Sequence, residues 1–380
     1  MSSEAISYNL RRFRASKGLT QQQLAAAAGI SRPAYRKIET GQSEPRVSTL
    51  QNIAHALDIK LQDLVAQTPQ LKSIRFRSVK KMKSREQVIA DVSRWLADFN
   101  FLEDTLNERN PYLLAPIKNQ RGRPNPERLA AKVREDLNLD DSEPIRDMCG
   151  LLESKGIKVY PIRLASDQFF GLSVAAEGGG PAVIVNTWER ISVERWIFSA
   201  AHELGHLLMH LNEYDVAETA ENEKEEAEAN RFAGAFLMPQ TLFEREWNYT
   251  YGLSFIDRVM KVKRIFKVSY SAVLYRLTQE RRYGPEIWAK FKSEYKRRTG
   301  KSLGKADEPS PISANDFKAT YPESRSAMEP ERLAAADFIE DRLARLVRAA
   351  IEKDKITLSR GAEILRLDYE AMREHAAAWV

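Results

Sequence analysis

The stretch W-I-F-S-A-A-H-E-L-G-H-L-L-M-H, residues 196–210, is followed after an acidic run by E-E-A-E-A-N-R-F-A-G-A-F-L-M-P, residues 225–239. The first segment is apolar on nearly every side, which predicts a buried helix. Within it, His202, Glu203 and His206 form the pattern H-E-x-x-H, and residues four apart lie on one face of a helix. Both imidazoles can therefore reach one small cation, and Glu203 is placed to activate a water molecule beside it.

A site with two histidines needs a third protein ligand. His210 lies about 12 Å from His202 along a continuous helix, too far for both to bind one ion, so we interpret it as a polar residue at the helix end. Glu226 and Glu228 on the next predicted helix are the alternatives. Glu226 is favoured because Asn230, four residues on, can hold a ligand histidine with its amide. Glu228 faces elsewhere and is expected to be solvated.

These segments resemble the ImmA/IrrE family of bacterial and phage zinc metallopeptidases. The motifs H-E-L-G-H and E-x-x-A-N-R-F-A-x-x-F-L-M-P occur in order with I-V-N upstream and V-S-x-x-A-V-L-Y-R-L downstream, within residues 126–280. The resemblance implies a zincin-like domain in which His202, His206 and Glu226 bind zinc and Glu203 is the general base. Family members typically cleave a repressor from their own operon or regulon. Manganese or iron stays an alternative to zinc, since geometry and availability select among these metals.

The whole chain has 380 residues, 43% of them hydrophobic, and a formal net charge of +6. This length is sufficient for two or three domains with cores of their own. Its one cysteine, Cys149, excludes an internal disulfide and fits a reducing compartment. The first residues, M-S-S-E-A-I-S, are not a signal sequence, and no apolar run approaches about 18 residues. We therefore expect a cytoplasmic protein without a membrane segment.

Residues 1–68 predict a domain of short, capped helices. Thr20 is expected to cap one helix and Ser31 the next, with Pro33 in the first turn of the latter. Gly29 and Gly41 are expected to end these two helices.

This domain resembles the XRE (phage repressor-like) helix-turn-helix family over its five-helix length. In that fold the helix starting near residue 31 enters the major groove, and dimers bind two-fold sites. The resemblance implies a double-stranded DNA operator as partner and a homodimer. The alternative is a module that has lost DNA binding and only dimerises. The residues expected to contact DNA are Gln21, Ser31, Arg32, Tyr35, Arg36 and Lys37.

Residues 69–125 predict a basic and helical linker. The basic run of residues 72–85 is either a solvated surface or an extension of the phosphate footprint. Apolar residues at helical spacing over 84–106 predict a helix that packs on another domain or on a dimer mate. The stretch 118–126, with two prolines and a glycine, predicts a flexible joint.

Residues 126–280 predict the metallopeptidase domain. Helices at 127–137 and 145–154 precede strands at 157–162, 169–175 and 182–186, and then the helix of the two histidines. This order predicts an α+β domain with a small antiparallel sheet on a helical body. The strand before the metal helix is expected to lie beside the cleft, with an edge that can hold an extended peptide.

Residues 281–380 predict a helical C-terminal region of unknown role. Residues 305–323 predict a linker, and residues 332–351 predict an amphipathic helix. The tail from residue 356 predicts a small helix-turn-helix-type unit, either a protein-interaction module or a DNA reader. The whole chain is thus predicted to be mainly α with an α+β catalytic domain.

Two classes of function fit this sequence. The first is a DNA-binding transcriptional regulator with a zinc-dependent endopeptidase domain that cleaves a partner repressor or regulates its own operon. The second is a repressor or antitoxin without enzymatic activity, whose peptidase-like domain binds a partner such as a toxin. The complete H-E-x-x-H motif favours the first class, because a binding domain has no need of Glu203.

Overall fold

The computed structural model describes residues 3–59, 61–65, 74–77, 85–114, 125–140, 142–210, 222–279, 283–304, 307–310, 315 and 333–379. Over these residues the protein is mainly helical with one small sheet, which confirms the predicted fold class. None of the helices in this part of the chain is both long and apolar enough to span a bilayer.

The N-terminal region forms five short helices around a core of its own. Thr20 caps the second helix in a capping box with Gln23, and Ser31 caps the third with Pro33 in its first turn, as the sequence predicts. Gly29 and Gly41 take the left-handed conformation (φ 69° and 74°) just beyond those helices. The helices are α1 (Ser3–Ser16), α2 (Gln21–Ala27), α3 (Arg32–Glu39), α4 (Val47–Leu57) and α5 (Leu61–Val65).

The middle of the chain builds the sheet and the helices packed on it. The elements in chain order are β1 (Ile74–Arg77), α6 (Arg85–Leu106), α7 (Pro126–Asp136), α8 (Met148–Ser154), β2 (Lys158–Ile162), β3 (Gly171–Val174), β4 (Ala182–Asn186), α9 (Val193–Met209), α10 (Glu223–Leu237), α11 (Gln240–Tyr249), α12 (Phe255–Phe266) and α13 (Tyr270–Gln279).

The sheet has four strands in the order β1-β3-β4-β2. β3 pairs antiparallel with both β1 and β4, but β2 and β4 are parallel. The predicted wholly antiparallel sheet is therefore wrong for this pair. The prediction took consecutive strands as neighbours, whereas β4 lies between β2 and β3. The Asn186 side chain holds the β2–β3 connection across the end of β4 by donating to the carbonyls of Leu164, Ser166 and Phe169.

The predicted linker region contributes to the fold. The apolar helix predicted at 84–106 is α6. It contacts α1, where the hydroxyls of Tyr8 and Ser93 lie 3.1 Å apart. At its other end Glu103 lies 3.1 Å from Lys158 and 2.6 Å from Arg342, in a buried ionic cluster. α6 therefore touches the first domain, the sheet and the C-terminal region. Most of the predicted joint, 118–124, and most of the basic run lie outside the residues described.

The C-terminal region packs onto the rest of the chain. Phe291 and Tyr295 of α14 are buried in the main core, so its aromatic residues are structural. Leu346 and Val347 of α15 join a second core between α6 and the sheet. The tail forms two short helices, as predicted, whereas most of the predicted linker at 305–323 lies outside the described ranges. The helices are α14 (Ile287–Thr299), α15 (Arg342–Glu352), α16 (Leu358–Leu365) and α17 (Tyr369–Ala377).

Candidate functional site

Helix α9 carries three polar side chains into the core of the protein. His202, Glu203 and His206 are all completely buried. The helix is apolar around them, and it packs on α10 and on strands β3 and β4. Burial of three ionisable groups is costly unless they are hydrogen-bonded or bind a cation, so their place in this helix needs a compensating partner.

Helix α10 supplies that partner with Glu226. Its Oε2 atom lies 3.2 Å from His202 Nε2, and its Oε1 atom lies 3.1 Å from His206 Nε2. The two Nε2 atoms are 2.9 Å apart. The three groups offer ligand atoms that all lie within 4.8 Å of one another, and in the part of the chain that the structure describes they are the histidine and carboxylate side chains close enough together to hold one metal ion.

The chemistry of these donors fits a small divalent cation. Ligands at about 2.0–2.1 Å from a tetrahedral ion lie about 3.3 Å from each other, close to the separations between Glu226 and the histidines. Burial opposes ionisation of Glu226, but the hydrogen bonds and charges of His202 and His206 outweigh it and hold the pKa of Glu226 below its ordinary value. Glu226 is therefore a carboxylate at neutral pH, the form that binds metals.

The outer nitrogens of both histidines also have partners. Asn230 Oδ1 lies 3.0 Å from His202 Nδ1, which fits an N–H donated to the amide oxygen. His206 Nδ1 lies 2.9 Å from His210 Nδ1, and His210 Nε2 lies 3.0 Å from Glu228 Oε2. A metal that binds here replaces the Nε2 protons of both imidazoles. In that neutral form, His206 donates to His210, which donates to Glu228. Both Nε2 atoms then direct lone pairs towards Glu226, an arrangement that a cation stabilises.

This chain of contacts corrects the prediction for Glu228. Glu228 was expected to be solvated, yet its side chain is 18% exposed and bound to His210. The prediction considered α10 by itself. Glu226 and Glu228 point in different directions on that helix, so only one of them was expected to face the histidines. In the fold, α9 ends at Met209 and the buried His210 lies against α10. His210 is thus a partner of the candidate ligand His206, and its own nitrogens face His206 and Glu228.

Glu203 lies against the first residue of β3. A Cβ atom at Gly171 would lie 3.2 Å from Glu203 Oε1 and 2.8 Å from the carbonyl oxygen of Ile184. Glycine is therefore required here for the strand to approach the candidate base. β4, the strand predicted to offer an edge to a peptide, pairs with β3 on one side and β2 on the other. That prediction is wrong, because β4 has no open edge within the sheet.

The other candidate surface is helix α3 in the N-terminal domain. Ser31, Arg32, Arg36 and Lys37 are exposed around its start and outer face, and the Ser31 hydroxyl caps the helix by accepting from the Ala34 N–H. These side chains form a basic surface that is open to a phosphate backbone or a groove.

Tyr35 does not belong to that surface. It is completely buried, and its hydroxyl donates to Glu39 Oε1 at 3.0 Å. Burial and then the charge and hydrogen bond of Glu39 raise the pKa of Tyr35. Gln21 also donates its side-chain N–H to Glu39, and Arg14 binds the same carboxylate at 2.6 Å. The prediction that Tyr35 reads DNA is therefore wrong, because the tyrosine holds α3 in place from inside.

Comparison with known proteins identifies both regions. Residues 152–278 match the peptidase family model described as the IrrE N-terminal-like domain, and residues 10–64 match the helix-turn-helix model. The chain is 36% identical over 63 residues to the uncharacterized HTH-type transcriptional regulator y4dJ of Sinorhizobium fredii, which covers 17% of this chain and 82% of that protein. The chain belongs to the HTH-type transcriptional regulators.

Two Bacillus subtilis proteins are also similar to a part of this regulator. The uncharacterized HTH-type transcriptional regulator YqaE is 47% identical over 60 residues, or 16% of this chain and 52% of the relative. The SPbeta prophage-derived uncharacterized HTH-type transcriptional regulator YonR is 37% identical over 59 residues, or 16% and 55%. The regulator thus spans about half the length of these two relatives.

Four residues of the regulator's sites escaped prediction from sequence. His210 and Glu228 were considered and set aside, because their contact depends on how α9 and α10 pack. Gly171 gave no signal beyond a glycine within a predicted strand. Glu39 accepts hydrogen bonds from Tyr35 and Arg14. No feature of the sequence distinguishes it from the other charged residues of the domain.

Proposed function

We propose that this regulator is a zinc-dependent endopeptidase joined to an operator-binding domain. The observation that carries the proposal is the convergence of His202, His206 and Glu226 from two packed helices, with Glu203 buried beside them. The match of residues 152–278 to the IrrE N-terminal-like peptidase family supports the same reading.

His202, His206 and Glu226 would hold the zinc ion, and Asn230 and His210 would fix the two imidazoles. Two imidazoles and one carboxylate form a ligand set of known catalytic zinc sites. When bound, zinc supplies Lewis acidity and lowers the pKa of a coordinated water. Manganese and iron accept the same ligand types, so the metal is decided by its availability and by the geometry.

Glu203 is the proposed general base and acid. It is the residue after His202 on the same helix, so its carboxylate lies beside the ligand group without being part of it. It takes a proton from the attacking water and passes it to the amine that leaves when the peptide bond breaks. Its burial in an apolar helix keeps competing water away from that proton.

The helix-turn-helix domain would bind a double-stranded DNA operator as a homodimer. The exposed Arg32, Arg36 and Lys37 on α3 provide the contacts, and two copies of α3 would occupy successive major grooves of a two-fold site. The substrate of the peptidase would be a partner repressor encoded with the regulator, so that cleavage changes transcription of the shared operon.

The second candidate is a repressor or antitoxin whose peptidase-like domain only binds its partner. The match of residues 10–64 to the helix-turn-helix model and the similarity to HTH-type regulators fit both candidates. The burial of Glu203 beside a complete set of ligands favours the enzyme, because a binding surface gains nothing from a carboxylate hidden in the core.

The proposal is tested with wild type, Glu203→Gln and His206→Ala. Metal content is measured on the purified proteins, and cleavage is measured with the products of neighbouring genes and with unfolded casein. We expect about one zinc per chain in wild type and in Glu203→Gln, loss of zinc in His206→Ala, and cleavage by wild type alone. No bound metal after addition of zinc, or cleavage that persists in Glu203→Gln, would reject the proposal in favour of the second candidate or of another mechanism.

A further inference from the structure

Strand β3 lies next to the candidate site, and the side of β3 that faces away from β4 is called its outer edge here. β4 is enclosed between β3 and β2, and β2 lies two strands away from β3. Gly171 begins β3, and a side chain at this position would collide with the backbone of Ile184 and press on Glu203. The outer edge of β3 therefore starts beside the candidate general base.

That edge is filled by β1. The register pairs Ile74 with Val174 and runs to Arg77 opposite Gly171, and the two strands are antiparallel. β1 therefore runs towards the candidate site, and its last residue lies opposite the glycine that touches Glu203. Neighbouring strands are about 4.8 Å apart, so the backbone of β1 is close to the place where chemistry would occur.

β1 does not belong to the matched peptidase domain. The family match covers residues 152–278, which include β2, β3, β4 and the helices of the metal ligands. β1 lies about 75 residues before that match, between α5 of the helix-turn-helix domain and α6. The three strands of the matched domain would leave the outer edge of β3 open, and a segment from outside the domain closes it.

We infer that the outer edge of β3 binds the substrate of the proposed peptidase as an extended peptide, and that β1 occupies this edge in cis. The inference rests on the proposed function. Strand addition places a peptide by backbone hydrogen bonds, which any unfolded segment can make. The occupant therefore needs no particular sequence for pairing, and an unstructured segment of a partner protein is the class of ligand that fits.

A substrate and β1 cannot pair with the same edge of β3 at the same time. β1 is thus a competitor of the substrate, and the peptidase works on a partner only when β1 leaves. β1 lies in the connection between α5 and α6, and both of these helices contact α1 of the helix-turn-helix domain.

The test uses the full chain with the double substitution Arg75→Pro and Phe76→Pro. Consecutive amides of a strand point to opposite sides, so two adjacent prolines remove a donor to β3 whichever way the strand faces. The matched control, Arg75→Val and Phe76→Val, keeps both donors and favours a strand. A synthetic peptide with the sequence of residues 72–79 serves as the probe for the edge.

The first readout is amide hydrogen exchange of the metal-free proteins. In the proline variant we expect exchange in β3 to rise at least tenfold, with β4 and α9 still protected as proof of folding, and the peptide to restore protection of β3. The valine control should behave like wild type. Unchanged exchange in β3, or no protection by the peptide, would overturn the inference.

The second readout is cleavage of unfolded casein by the zinc-loaded proteins. We expect the proline variant to cleave several-fold faster than wild type and the valine control, and the peptide to slow it. Protection of β3 by the peptide without cleavage by either protein would reject the peptidase proposal and leave the peptide-binding edge standing. Equal cleavage by the proline and valine variants would overturn the competitive role of β1 and leave the peptidase standing.

Discussion

His206 and His210 face each other through their Nδ1 atoms, 2.9 Å apart, and Glu228 lies 3.0 Å from the far nitrogen of His210. These three residues, one on α9, one just beyond its end and one on α10, thus form a line of hydrogen bonds that ends at a candidate metal ligand. His210 is 3% exposed, so water does not easily replace it. The line fixes the tautomer in which His206 Nε2 carries the lone pair that a metal needs.

We predict that His210→Ala lowers the affinity for zinc by about 10–100-fold. The substitution removes the acceptor for His206 Nδ1–H, so the imidazole loses both its fixed orientation and part of its basicity. Affinity is measured by competition with a chromophoric chelator at constant pH. Glu228→Gln should show a smaller loss, since an amide oxygen still accepts the N–H of His210.

The control for this prediction is Glu223→Gln, an exposed residue at the start of the same helix α10. It changes the charge of the helix by the same amount as Glu228→Gln but touches neither histidine. Equal zinc affinity in His210→Ala and wild type would show that His210 has no role in positioning His206.

The packing of α9 on α10 is also predicted to depend on Gly205. A Cβ atom there would lie 2.9 Å from Phe232 Cδ1 and 3.3 Å from its Cγ. Gly205→Ala forces the two helices apart, with an expected loss of about 1–3 kcal/mol in unfolding free energy, and moves Glu226 away from the histidines. Thermal unfolding and zinc affinity should both fall.

Gly234→Ala on α10 is the matched control for Gly205→Ala. It also lies within a helix, but a Cβ atom at this position meets nothing within 4 Å. Alanine there should stabilise the helix by about 0.5–1 kcal/mol without weakening zinc binding. If Gly205→Ala stabilised the protein in the same way, the Phe232 ring would have moved aside without a loss of unfolding free energy, and the predicted clash would be wrong.

The local parts of this structure could be predicted from sequence, and the non-local parts could not. Thr20 and Ser31 act on their own helices, and His202 and His206 are related by one turn, so spacing along the chain is enough to place them. The contact of His210 with Glu228 and the parallel pairing of β2 with β4 join segments whose meeting depends on the packing of the whole domain. The pattern of α3 shows Tyr35 on a helix that binds DNA in related folds, but not which way its ring points.

The burial of Tyr35 leads to a prediction for DNA recognition. Tyr35→Phe removes the hydroxyl that donates to Glu39 at 3.0 Å, which should lower the stability of the helix-turn-helix domain by about 1–3 kcal/mol. Since the side chain does not reach the surface, the DNA sequence that is bound should stay the same. Binding sites are selected from a randomised duplex library with each protein and sequenced.

Arg36→Ala provides the contrast within the same helix. Arg36 is exposed on α3, so its removal should weaken binding or change the selected sequence while the stability of the domain stays within about 0.5 kcal/mol of wild type. A changed sequence preference in Tyr35→Phe would contradict its assignment to the interior.

The last prediction concerns pH and Glu153. Burial, and then the charges of Glu340 and Asp341, raise the pKa of Glu153 to about 8, although Arg342 lies near and opposes the shift. Burial and Asp341 likewise raise the pKa of Glu340 to about 7, against the hydrogen bond from the Leu343 amide. The folded protein thus holds a proton on Glu153 that the unfolded chain, with the ordinary value of 4.5, releases. The stabilisation that this proton gives is complete below pH 4.5 and is lost as pH rises through about 8, by about 1.4 kcal/mol per pH unit at most.

Glu153→Gln places a neutral group of the same shape in this position, so its melting temperature should match that of wild type at pH 4.5, exceed it increasingly up to about pH 8, and stay higher by a constant amount from there to pH 9. Melting is followed by tryptophan fluorescence at half-unit steps of pH. Glu370→Gln, an exposed change on α17, is the control that removes the same formal charge. A constant difference between Glu153→Gln and wild type across this range would show that folding does not raise the pKa of Glu153 and that its carboxyl group is ionised in the folded protein.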